Sequence, residues 1–130
     1  MKPRRAGFTL MELLIVLVVI AILVTMGLGR FWKVKDESLV ANLAHDLRNL
    51  ATAQEDYFAT NYSYASVVSD LVNFRESQGV TITITLVQQD GWAGNASHVS
   101  LASRTCGIFT GNAPAAAGAP GTVNGIIGCN

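Results

Sequence analysis

Glu12 is a carboxylate near the start of a long apolar run, and its setting asks for a chemical reason. By insertion scales, a charged side chain in a membrane-length helix costs roughly 2.5 to 3.5 kcal/mol, so such a residue is kept for a partner or a function. Either Glu12 reaches the headgroup layer and is solvated there, or it neutralises a cation brought to it. Cys106 and Cys129 offer a second chemistry, as one late disulfide or as two unpaired thiols. With no CxxC spacing and no Cys/His cluster nearby, they do not form a zinc site.

A catalytic constellation is absent from the sequence. His45 falls on a polar helix face and His98 near a strand end, with no Gly-x-Ser-x-Gly, no HExxH, no phosphate-cradling glycine loop and no His/Cys pair. The carboxylates between Asp36 and Asp56 read as a solvated face, not as a general acid and base. The chain therefore reads as a non-enzyme with no cofactor and no metal.

The 130 residues fit one compact domain, and 50% hydrophobic content against 14% charged excludes a disordered chain. Nine basic residues balance nine acidic ones overall, but from Asp36 onward three arginines face eight carboxylates, a net of −5. Phosphate binding needs the opposite sign, which disfavours nucleic acid as a partner of this part of the chain alone. The aromatic residues, Phe31, Trp32, Tyr57 and Phe58 among them, read as core and contact residues.

These residues are positioned first by a helix. Sixteen residues from Leu13 to Leu28 carry no charge, and extension back to Phe8 adds only Thr9 and Glu12 as polar interruptions, with Thr25 inside the run. At about 1.5 Å per residue the stretch is roughly 31 Å long, the thickness of a bilayer's hydrocarbon core. A removable secretory signal would have a shorter apolar core ending in small residues, whereas this run flows into Arg30, Phe31 and Trp32, so a retained anchor is expected. Charge counting does not orient it: Lys2, Arg4 and Arg5 on one side match Arg30, Lys33 and Lys35 on the other.

The N-terminal string KPRRAG followed by FTLME resembles the class III signal of bacterial type IV pilins and type II secretion pseudopilins. The resemblance is close over about the first thirty residues and looser beyond. It implies a leader (1–7) cut after Gly7 by prepilin peptidase on the cytoplasmic side, and N-methylation of the new terminal Phe8. It also implies assembly into a homopolymeric filament in which Glu12 of an incoming subunit meets the Phe8 amine of one already in place. The partners implied are the peptidase, an inner-membrane assembly platform, minor pilins, membrane lipid before assembly, and further copies of the chain. The location implied is the bacterial inner membrane for the precursor and an extracellular or periplasmic filament afterwards. Many pilins carry a proline inside the apolar helix; here Gly27 and Gly29 stand instead, each costing about 1 kcal/mol relative to Ala, a candidate weak spot. Pilins of this kind often pin their last segment by a disulfide, which implies a Cys106–Cys129 bridge worth about 3 kcal/mol in the chain-entropy model. A secretion pseudopilin is the alternative within the family. A single-pass membrane protein with a monomeric sensing or binding head is the alternative outside it.

Beyond the assembly helix (8–29) the periodicity continues as an amphipathic helix (30–60). Leu39, Val40, Leu43, Ala44, Leu47, Leu50, Ala51, Tyr57 and Phe58 fall within an arc of about 140°, with Gln54 as a polar intruder and Asp46 assigned to the polar remainder. A turn is expected at 61–66, and a loop or short helix at 67–77. Val80–Leu86, extended by Val87, alternates with period two and reads as a half-buried strand with Val80, Ile82, Ile84 and Leu86 on one face. Asp90-Gly91 reads as a two-residue hairpin turn, Trp92–His98 as the returning strand, Thr105–Thr110 as a third strand and Gly111–Gly121 as loop. The expected class is α+β: a long N-terminal helix packed on a small antiparallel sheet in a globular region (61–130), the type IV pilin fold.

Overall fold

The computed structural model describes residues 7–130; the leader expected at 1–7 lies, apart from Gly7, outside the described residues. Helix α1 runs Leu10–Asn61, close to the expected limits, and the chain divides into a segment ending at Lys35 and a body, Asp36–Asn130. In the first segment no residue of the apolar window is buried within the chain. Its Leu, Ile and Val side chains point outward all round the helix, as they would in lipid or against other copies.

In the body, four antiparallel strands follow α1 in simple order: β1 (Val80–Gln88), β2 (Gly91–His98), β3 (Thr105–Gly111) and β4 (Gly128–Cys129). Leu43, Leu47 and Leu50 of α1 are wholly buried against Val80, Ile82, Trp92, Ala96 and Ile108 on one face of the sheet. The opposite face carries a smaller cluster of Ala93, Phe109 and Ala113, with Leu86 and Ala117 packed on it. The C-terminal segment covers that face so closely that a Cβ at Gly107 would collide with the carbonyl oxygen of Gly118. Only glycine permits backbone to lie on backbone there.

Three sequence expectations are corrected here. Period-two alternation does not hold along the whole of β1: Ile84 pairs with Gly94 and Leu86 with Ala93, leaving Thr85 as an unpaired bulge residue. The extra residue turns Leu86 to the outer face and returns Val87 to the helix-facing core. The two-residue turn is Gln89-Asp90, since Gln88 pairs with Gly91, which is already in β2. Glycine at 91 answers to close approach and not to a turn conformation, because a Cβ there would strike the Thr110 carbonyl oxygen.

Asp46 is the third correction. It lies only about 20° outside the apolar arc at 100° per residue, and it is 1% exposed. The segment after the helix folds over it: Ser77 donates its backbone N–H (2.8 Å) to one carboxylate oxygen and its hydroxyl (2.8 Å) to the other. A buried carboxylate satisfied in this way holds the start of β1 to the helix. Gln54, the polar intruder, has the same logic. It is fully buried and accepts from the Ala65 N–H (2.8 Å) while donating to the Ala65 carbonyl (2.9 Å), replacing the backbone partners that the turn lacks.

Candidate functional site

The N-terminal end of α1 gathers the residues that the sequence singled out. Leu10 is the first helical residue, so Thr9 occupies the N-cap and Glu12 the third helical position. Helix starts leave four backbone N–H groups without intrahelical partners, and Thr9 and Glu12 satisfy two of them reciprocally. The Thr9 N–H donates to Glu12 Oε2 (2.9 Å), the Glu12 N–H donates to Thr9 Oγ1 (3.2 Å), and the Thr9 hydroxyl donates to the same Glu12 oxygen (2.9 Å). The carboxylate also sits where the helix dipole favours negative charge. Sequence reading missed the role of Thr9, although the Thr-x-x-Glu spacing carries that signal.

Phe8 is 86% exposed among the described residues, and a Cβ at Gly7 would meet no described atom within 4 Å. Gly27 and Gly29 are equally open, and α1 passes through both as regular helix.

The cysteines lie elsewhere, bridged to each other as directly opposed residues of β3 and β4. Around them Asn130 is held by three hydrogen bonds: its side chain accepts from the Thr105 N–H (2.8 Å), its N–H donates to the Thr105 carbonyl (3.2 Å), and its backbone carbonyl accepts from Arg104 Nε (2.9 Å). His45 and His98 make local contacts, with Asn49 Nδ2 and the Ser100 N–H respectively. Among the described residues, no three His, Cys, Asp or Glu side chains converge as metal ligands would.

Residues 2–28 match the prokaryotic N-terminal methylation motif. Over 70 residues, 54% of the chain, the sequence is 33% identical to the type IV major pilin protein PilA of Myxococcus xanthus (strain DK1622). Both findings support the type IV pilin family. The match spans about a third (32%) of that relative's length, so its whole-protein properties do not transfer directly. The molecule has the α+β architecture expected from its sequence, a long N-terminal helix, apolar in its first half, with a small antiparallel sheet on its second, to which the short β4 adds a fourth strand that the sequence did not signal. The motif's matched span takes in Gly7, Phe8, Thr9 and Glu12, and so the whole capped helix end.

Proposed function

We propose that the chain is a structural subunit of a type IV pilus-like filament. It enters the inner membrane as a precursor, is cut after Gly7 by prepilin peptidase, is N-methylated on Phe8, and is assembled by an inner-membrane platform together with minor pilins. The observation that carries this reading is the first part of α1, from Leu10 to Leu28. It is apolar on every side and none of it is covered by its own chain, so it needs lipid first and neighbouring helices later. Its carboxylate stands four residues from the amine that cleavage would create.

In the filament, that amine and Glu12 of an adjacent subunit leave water together. A buried ion pair of this kind contributes little net stability, but a misplaced subunit would leave both charges unpaired, so the pair sets register. The cut also removes Lys2, Arg4 and Arg5, leaving six basic against nine acidic side chains, a net of −3. No described atom crowds Gly7, which supports a glycine demanded by an enzyme's cleft.

The test is electron microscopy of sheared surface material, with N-terminal sequencing of its main band. Filaments whose subunit begins at methylated Phe8 are expected. Material that begins at Met1 or Lys2, or that remains as single detergent-solubilised molecules where the export machinery is intact, overturns the proposal.

A further inference from the structure

Directly after the apolar run come Arg30, Phe31, Trp32, Lys33 and Lys35, all exposed, and carboxylates begin only at Asp36. Resting on the reading of 8–28 as a membrane span, we infer that this stretch is a binding collar for anionic lipid headgroups, with the lipid phosphate as the group recognised. From Arg30 to Lys35 the helix rises about 8 Å, close to the thickness of one headgroup layer outside a hydrocarbon core of about 30 Å. At 100° per residue the three cations point roughly 0°, 300° and 140° around the axis, so they encircle the helix instead of lining one face. That arrangement suits a ligand present on every side, as a lipid leaflet is.

The aromatic residues set the depth. Phe31 and Trp32 are 65% and 59% exposed and touch edge to face with centroids 6.0 Å apart, forming an amphipathic belt of the type that settles at a membrane interface. Lys35 Nζ lies 5.4 Å from the centre of the Trp32 ring, which holds its ammonium at the same level. Cations that flank a span normally gather on the side that is not exported. This chain places three on each side, and the three that would face outward set no topology. A negatively charged leaflet gives them a ligand, each Lys or Arg favouring the surface by a factor on the order of five.

The experiment uses the full chain in phosphatidylcholine vesicles carrying a few per cent of headgroup-nitroxide label, on either phosphatidylglycerol or phosphatidylcholine, with Trp fluorescence quenching as the readout. Trp92 is fully buried in the body and gives a constant background. The anionic label should quench Trp32 at roughly a fivefold lower mole fraction at low salt. That preference should collapse at about 1 M salt, where screening acts over roughly 3 Å, and in the combined Arg30→Gln, Lys33→Gln, Lys35→Gln variant. Arg48→Gln should retain it. Equal quenching by both labels, or a preference that survives the triple substitution, in a chain that resists alkaline extraction overturns the collar alone. A chain that alkali strips from the vesicles overturns the membrane reading and the collar with it.

Discussion

Thr9 and Glu12 each accept a hydrogen bond from the other's backbone N–H, so the carboxylate proposed to pair with a neighbour's amine is already engaged within its own helix. The two roles separate by substitution. Glutamine retains the reach of a capping box but not the charge. Glu12→Gln and Glu12→Ala are therefore both expected to insert normally and to lose sheared filaments by at least about tenfold, a factor equivalent to roughly 1.4 kcal/mol. Immunoblots of sheared material against carbonate-washed membranes check this. Normal filament yield from the glutamine variant would show that assembly uses the cap and not the charge.

Asp46 and Ser77 form a buried clamp between the helix and the start of β1. Hydrogen bonds to a charged group contribute about 1.5 to 3 kcal/mol, so Asp46→Ala should lower unfolding stability by that order, and Ser77→Ala by less because its N–H remains. Urea unfolding of the four proteins in a double-mutant cycle should give a coupling above about 0.5 kcal/mol. Strict additivity would mean that the clamp is not formed.

Gln54 replaces two backbone partners for Ala65 with a single side chain. Gln54→Leu preserves the apolar contacts but strands a buried N–H and C=O, each worth about 1 to 3 kcal/mol. Hydrogen exchange at the Ala65 amide should be slow in the native chain and among the fastest in the variant. Unchanged protection would contradict the assignment.

Bridging Cys106 to Cys129 closes a loop with a sequence separation of 23 residues. Chain entropy puts its contribution at about 3 kcal/mol. Mass spectrometry should find no free thiol in the mature protein, and reduction should lower the urea midpoint while exposing the amides of Gly128 and Asn130 to exchange. Two free thiols would remove the staple.

Burial first, and then the charge and hydrogen bond of Glu55 at 3.3 Å with Asp90 adding to them, raise the Tyr64 hydroxyl above its ordinary value of 10.0. The folded state thus holds this proton more tightly than the unfolded state. The stability from this linkage is complete below about pH 10 and falls as pH rises through the folded value. The tyrosinate absorbance of the native chain minus that of Tyr64→Phe should titrate late, and Glu55→Gln should bring it earlier. A Tyr64 increment at the ordinary value would refute the contact.

Elements defined by a single strong periodicity were legible in the sequence. The helix expected from Phe8 to about Thr60 is found at Leu10–Asn61, and β3 differs from its expected limits by one residue. Less legible were features that depend on what a distant segment does. Asp46 is polar and stands at the edge of the apolar arc, and only the return of Ser77 makes its burial tolerable. The bulge at Thr85 is set by pairing with β2 and by the Thr85 hydroxyl donating to the Ala117 carbonyl (2.5 Å), neither visible from alternation within one strand. The candidate site was legible in its residue types, whereas the Thr9 cap needed a spacing rule that looks at a helix start and not at a charge.

The single supernumerary residue in β1 works like a frame shift in the strand's inside-outside code. Deleting Thr85 would not merely shorten the strand; it would present Leu86 to the helix side, and Val87 would take its place beneath the C-terminal covering. Length changes in this strand should therefore be rejected at that point, even where substitutions of Thr85 itself pass.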